Sequence, residues 1–236
     1  MEQIKGIKGF VGVSLIEFPG YISSVVFLGG CNLRCPFCQN RDLVLKPNEL
    51  EDIDFAELVE ALGMRKRLID GVAITGGEPL IFGELERMIE RFRELGLAVK
   101  IDTNGMHPDR LKSLIDSKLV DYVAMDFKTS LDRYDEACGK KVDISRFERS
   151  VDLLLEGKVD YEFRTTCVPG LVTEREVELI AERIAGARLY ALHQFRNEYL
   201  LDPEWEKLTP YRPEKLREFA KIAAGHVEKV ITRGIG

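Results

Sequence analysis

Short β-branched, apolar runs alternate with longer stretches of helical periodicity along this chain, and that alternation restricts the fold more than any other feature. Tyr21–Leu28 runs into Gly29-Gly30 and reads as a first strand. Asp54 is placed to cap a helix reaching Arg67, with Phe55, Leu58, Val59 and Leu62 on one face. Gly71–Thr75 is a second strand, followed by a helix over Gly83–Leu95 that turns Leu85, Met88, Ile89 and Phe92 inward. The pattern repeats: strand Ala98–Thr103, helix Pro108–Ser117, strand Val120–Phe127, helix Ser145–Leu155, strand Asp160–Val168, helix Thr173–Ile184 and strand Ala187–Phe195. A loop with Pro203 and Pro210 leads to helix Pro213–Ala223 and a last strand, Val227–Arg233.

Such alternation predicts an α/β protein with a parallel sheet and helices outside it. The repeated units are too few for a complete eightfold barrel. The expected class is therefore a partial (β/α)6 TIM-like barrel, and an open doubly wound sheet fits the same count. Both place function at the C-terminal ends of the strands. The whole chain, 1–236, reads as one domain: an N-terminal extension 1–20, a barrel core 21–195, and a C-terminal loop, helix and strand 196–236.

Charge and hydropathy exclude several classes. A net charge of −6 argues against a nucleic-acid partner, which calls for a basic surface. No apolar run approaches the ~18 residues of a membrane span, and Met1–Gly9 lacks the apolar segment of a secretory signal. A cytoplasmic location follows. In a reducing compartment, clustered cysteines serve as metal ligands or catalytic groups rather than disulfides.

Cys31, Cys35 and Cys38 stand together in a C-x3-C-x2-C arrangement directly after the first strand. Thiolates are soft ligands that suit iron–sulfur clusters or zinc. A [4Fe–4S] cluster normally takes four cysteines. Three local thiolates leave one iron without a protein ligand, which suits a cluster that binds its substrate directly. Zinc stays open on spacing alone, with a remote fourth ligand such as Cys167 or His193.

Three later strands carry charges on one face. Lys100, Asp102 and Asn104 alternate with Val99, Ile101 and Thr103; Asp126 and Lys128 alternate with Met125 and Phe127; Glu162, Arg164 and Thr166 alternate with Phe163, Thr165 and Cys167. A parallel sheet covered on both faces should read as nearly continuous apolar runs. Isolated buried charges are expensive, so a polar cavity on that face is the economical reading, with salt-bridged packing as the alternative. Gly76-Gly77 would by itself be a tight turn that lets a ligand or a backbone come close.

The segment from Phe27 to Asn40, with its three cysteines, resembles the signature of the radical S-adenosylmethionine (SAM) superfamily. Gly9-Phe10 and the stretch from Ser14 to Gly20 narrow the likeness to the activating enzymes of anaerobic ribonucleotide reductase and, more distantly, of pyruvate formate-lyase. Gln39 departs from the His usual in those activases. The resemblance implies a [4Fe–4S] cluster on Cys31, Cys35 and Cys38, with SAM on its open iron. It implies that Phe37 lies near the adenine and that Gly76, Gly77 and Glu78 frame the methionine end. Asp102, Thr103 and Asn104 match a DTNG motif, Asp126 and Lys128 a D-x-K motif, and Arg164 also has a counterpart. These strand ends would contact SAM or a monovalent cation beside it. His193 falls near the last SAM contact, although simple alignment puts Phe195 at that place.

By the same resemblance, SAM would be reductively cleaved to a 5′-deoxyadenosyl radical that makes a glycyl radical on a partner enzyme, with flavodoxin or ferredoxin as electron donor. Two other readings stay open: a radical SAM enzyme acting on a small, nucleotide-like molecule, and a zinc-stabilised or iron–sulfur electron-transfer protein. Cys138 and Cys167 read as small packing residues, His107 and His226 as surface positions, and Trp205 as a packing anchor.

Overall fold

A computed structural model describes residues 4–235; residues 1–3 of the expected N-terminal extension and Gly236 lie outside it. The described residues form an eight-stranded sheet in strictly sequential order. β1 (Ile7–Ser14) pairs antiparallel with β2 (Ser23–Leu28). β3 (Gly71–Gly76), β4 (Ala98–Thr103), β5 (Tyr122–Asp126), β6 (Asp160–Cys167), β7 (Tyr190–Gln194) and β8 (Val230–Arg233) follow, each parallel to the one before. β1 and β8 remain the two edges, so the sheet is not closed into a barrel.

The connections carry α1 (Arg41–Leu45), α2 (Phe55–Arg65), α3 (Leu85–Glu94), α4 (Pro108–Asp116), α5 (Tyr134–Cys138), α6 (Ile144–Leu155), α7 (Glu174–Arg183) and α8 (Pro213–Ala223). Local chemistry accounts for their ends. The Asp54 carboxylate accepts the N–H groups of Ala56 and Glu57 at 2.8 and 3.1 Å and starts α2. Thr173 and Glu176 form a reciprocal capping box at the head of α7. Pro108 and Pro213 occupy first turns, where a missing N–H costs nothing.

Strand parity divides the interior in two. Val72, Ile74, Val99, Ile101, Val123, Met125, Phe163 and Leu192 face the helices and are fully buried with them. Leu85, Met88, Ile89 and Phe92 of α3 join this layer, each worth about 1.5–3 kcal/mol of apolar burial. The opposite parity carries Lys100, Asp102, Asp126, Glu162, Arg164 and His193 onto the concave face. The register sets Asp126 beside Arg164 and His193 beside both Thr166 and Arg233.

Candidate cluster and cofactor site

The cysteine loop leaves the C-terminal end of β2 and is held by backbone from four directions. The Gly30 N–H donates to Leu43 O at 2.7 Å, and Gly30 O accepts the Glu78 N–H at 2.9 Å. The Arg34 N–H donates to Cys138 O at 2.9 Å. From the segment after β7, the N–H groups of Leu201 and Asp202 donate to Cys38 O and Pro36 O at 2.9 and 3.0 Å. This loop therefore depends on contacts from most of the chain.

Gly77 is fixed by the same packing. A Cβ there would lie 1.7 Å from Gly30 O, and one on Gly76 would lie 2.5 Å from the Leu28 backbone. The glycine pair is thus required by the approach of β3 to the cysteine loop, whatever else lies over it. Asn40 ties the two further by donating its amide to Gly76 O at 2.6 Å.

A cavity of about 360 Å³ opens at the C-terminal strand ends. Cys31, Cys35, Cys38 and Phe37 line one wall; Gly76, Gly77 and Glu78 line the next. Asp102, Thr103, Asn104, Asp126, Lys128, Arg164 and His193 complete it. The structure thus brings every site residue singled out from sequence to one cavity. Phe195 lines it too, so both candidates for the sixth strand end face the same space. Thr166, which the strand alternation places on this face, lines it too; so do Glu17 and Arg196, without any spacing signal that marks them in the sequence.

Hydrogen-bond donors aim at the sulfurs. Cys31 Sγ accepts from the Leu33 N–H at 3.4 Å and from Asn104 Nδ2 at 3.9 Å, while the same Asn104 amide donates to Asn32 Oδ1 at 2.8 Å. The neighbouring Cys138 thiol and the Lys128 ammonium pull the Cys35 thiol down against its burial. Burial pushes the Cys31 thiol up to about 11 and also raises Cys38, so both need a positive partner to ionise. Cys167 does not reach the cavity: it is fully buried behind the sheet, and desolvation pushes it up to about 12. It is therefore no fourth ligand. Among the described residues, no group of three or more His, Cys, Asp or Glu side chains has the spacing of a single-ion site. A cubane asks for something wider, because each thiolate binds a separate iron corner.

Glu78 is almost wholly buried and accepts three hydrogen bonds: the Thr103 hydroxyl at 2.8 Å, the Asn104 N–H at 2.7 Å and the Leu80 N–H at 3.1 Å. Burial still pushes it up to about 7 against those donors. The acids opposite behave differently. Arg164 sits 3.0 Å from Asp102 and 2.9 Å from Asp126. Lys100 pairs with Asp102, and Lys128 lies 3.3 Å from Asp126. Desolvation would raise both acids, but the cations, Arg164 foremost, hold them below the usual carboxylate range. Salt-bridged packing and a polar cavity, set as alternatives in the sequence, coexist here.

Deeper in the concave face, the fully buried Glu162 is gripped by Arg233 of β8 at 2.6 and 2.8 Å and accepts the Tyr122 hydroxyl at 3.3 Å. Arg233 also lies 3.3 Å from His193 Nε2. Burial first, then Arg164 and Arg233, lower His193 to about 4, so it is neutral near pH 7. Trp205 packs beside Phe37 with ring centroids 6.0 Å apart, and Lys128 Nζ lies 5.9 Å from the Phe37 ring centroid.

A sheet that stays open, with a tripod of cysteines beside glycine-framed strand ends, defines the class. Residues 25–184 match the radical SAM superfamily profile, and the chain belongs to that superfamily. Along 97% of its length it is 35% identical to a Methanocaldococcus jannaschii protein provisionally named a glycyl-radical enzyme activating enzyme, covering 96% of that protein. A 7-carboxy-7-deazaguanine synthase from Methanopyrus kandleri is 28% identical over 80% of each chain. In fold, the chain superposes on SuiB from Streptococcus suis, solved with its precursor peptide SuiA, with a TM-score of 0.67. That match has 17% identity and covers 89% of this chain and 48% of the other. Membership implies a [4Fe–4S] cluster and SAM. The donor set fits: three cysteines on one wall, N–H donors directed at Cys31, and a lysine nearby. No helix among the described residues is long and apolar enough to cross a membrane.

Proposed function

We propose that this chain is the activating enzyme of a glycyl-radical enzyme and that its partner is an anaerobic ribonucleotide reductase. The observation that carries the reading is the 35% identity to the M. jannaschii protein, spread over nearly all of both chains. The stretch Gly9–Gly20 supports the choice of partner by its resemblance to the reductase activases. It also supplies Glu17 to the cavity.

Cys31, Cys35 and Cys38 would hold the cluster, which when bound supplies the electron for reductive cleavage of SAM. The remaining work falls to the chain's own groups. Glu78, held by three donors, fixes the β3 and β4 ends relative to each other, and with Gly76 and Gly77 it would frame the methionine end of SAM. Phe37, packed beside Trp205, would offer an apolar wall to the adenine. Asp102, Asp126, Arg164 and Lys128 keep the far wall charged yet internally balanced. Arg164 and Lys128 supply the positive charge that a monovalent cation would bring, so the reading needs no such cation. A low-potential carrier of the flavodoxin or ferredoxin kind would donate the electron. The chain would act as a single domain in the cytoplasm, without nucleic acid or membrane.

The test is anaerobic reconstitution with iron and sulfide, followed by incubation with SAM, dithionite and the reductase. A glycyl EPR signal on the reductase is the expected result. The likeness to the deazaguanine synthase favours a second reading, a small nucleotide-like substrate. It would show as 5′-deoxyadenosine formation stimulated by a pterin-like or purine-like heterocycle, with no glycyl signal.

A further inference from the structure

Asn104 stands one residue past the end of β4 and is buried against the cysteine loop, 72 residues away from Asn32 in sequence. Its side-chain oxygen Oδ1 accepts the Met106 N–H at 3.0 Å. A backbone N–H can only donate, so this contact settles which end of the amide is oxygen and which is nitrogen. Nδ2 then faces the loop with its two hydrogens, lying 2.8 Å from Asn32 Oδ1 and 3.9 Å from Cys31 Sγ. The turn that aims the amide is fixed too. The Asn104 N–H donates to Glu78 Oε2 at 2.7 Å, and Gly105 O accepts the Ser150 hydroxyl at 2.6 Å. Gly105 itself has a φ of +78°, and a Cβ there would lie 2.5 Å from Met125 Cε.

We infer that Asn104 is a positioning residue of the cluster rather than a donor to SAM: its amide ties the cysteine loop to the end of β4 and donates to Cys31 Sγ, which raises the reduction potential of the cluster. The inference rests on the cluster reading above, and it moves to the cluster a residue that the resemblance places at SAM. Both amide hydrogens are engaged by the loop, which leaves none for a carboxylate or a ribose in the cavity. Hydrogen bonds to the cysteine sulfurs are among the factors that set iron–sulfur potentials. A donor withdraws charge from the sulfur and favours the reduced, more negative cluster. Asn32 Oδ1 itself lies 3.9 Å from the Cys31 sulfur, and the Asn104 N–H bonded to it offsets the negative charge it turns on that atom. The other donor to Cys31 is the Leu33 N–H at 3.4 Å, which belongs to the loop backbone. Asn104 is the donor that a side-chain substitution can remove.

The experiment compares wild type, Asn104→Ala, Asn104→Ser and Asn32→Ala after anaerobic reconstitution. Iron and sulfide content come first, then the midpoint potential by EPR-monitored titration without SAM, then SAM affinity by equilibrium binding to the oxidised protein. A downward shift of the potential in both Asn104 variants is expected, with SAM affinity near that of wild type. Asn104→Ser keeps an oxygen for the Met106 N–H and supplies the potential if alanine impairs iron uptake. Asn32→Ala loosens the loop contact but keeps the donor to Cys31, so its potential should stay near that of wild type. An unchanged potential in the Asn104 variants overturns the inference, and weakened SAM binding beside it would make Asn104 a SAM contact. A shift in Asn32→Ala as large as that in Asn104→Ser also overturns it, since loop packing would then explain both. Wild-type protein that takes up zinc and no [4Fe–4S] cluster overturns the cluster reading itself, a result distinguishable from the others.

Discussion

Arg164 reaches past β5 to Asp102, its Nη1 lying 3.0 Å from Oδ2, although their strands are not neighbours in the sheet. The guanidinium thereby joins charges on β4, β5 and β6 across the cavity wall. Removing it leaves Asp102 with Lys100 alone and Asp126 with Lys128 alone. Breaking a buried ion pair from one side costs about 3–5 kcal/mol. Arg164→Met should therefore lower stability in urea by an amount of that order, and Arg164→Lys by less. A loss under about 1 kcal/mol, the range of a surface pair, would show that the network is solvated.

The two kinds of cavity acid predict opposite pH trends. Glu78, raised to about 7 by burial, holds its proton over a range where the unfolded chain, titrating near ~4.3, has lost it. Its contribution to stability is full below that unfolded value and falls as pH rises through about 7. Asp102 is depressed by Arg164 and Lys100, so its contribution is full above ~3.9 and is lost as pH falls below that. Thermal melts of wild type and Glu78→Gln from weakly acid to neutral pH should converge as pH rises. A constant difference between them would contradict a raised Glu78.

Gly77→Ala puts a methyl where Gly30 O already stands. Overpacking costs typically ~1–3 kcal/mol, and a clash with backbone belongs at or above the top of that range. The expected result is destabilisation together with poor iron incorporation, because the displaced neighbour carries Cys31. Normal iron content in a stable Gly77→Ala protein would mean that the strand–loop contact is dispensable.

Much of this arrangement is legible in the sequence because strand parity is a local property. Lys100 and Asp102 fall on the face opposite Val99 and Ile101 whatever surrounds them, and the cysteine spacing is contiguous. β1 is less legible: it is half-exposed and broken by Gly9 and Gly12, so it lacks the apolar run of a buried strand. The five-residue helices α1 and α5 are too short for a helical period to show. Cys138 reads as a packing residue because its approach to the cysteine loop, where its carbonyl accepts the Arg34 N–H, depends on how α5 docks, not on spacing. Arg233 is similar, since its pairing with Glu162 is set by the register of a four-residue strand at the sheet edge.

That edge strand carries a testable load. Arg233→Ala leaves the fully buried Glu162 carboxylate with only the Tyr122 hydroxyl, which should cost about 3–5 kcal/mol. Pairing Arg233→Met with Glu162→Gln should restore most of the loss in urea unfolding. Failure of the double variant to recover would show that Arg233 acts through something other than this pair.

Monovalent cations offer a simpler check. Asp102 and Asp126 are already matched by Arg164, Lys100 and Lys128. Replacing sodium or potassium with a bulky organic cation should leave SAM cleavage unchanged. A strict requirement for one alkali ion would mean that these pairs open to admit it.

The most direct measurement is 5′-deoxyadenosine formed from SAM and dithionite by the anaerobically reconstituted protein, beside its Cys35→Ala variant. Product from the wild type that vanishes in the variant is predicted. Zinc-loaded, iron-free wild type without product, or undiminished product from Cys35→Ala, would contradict the assignment of the three cysteines.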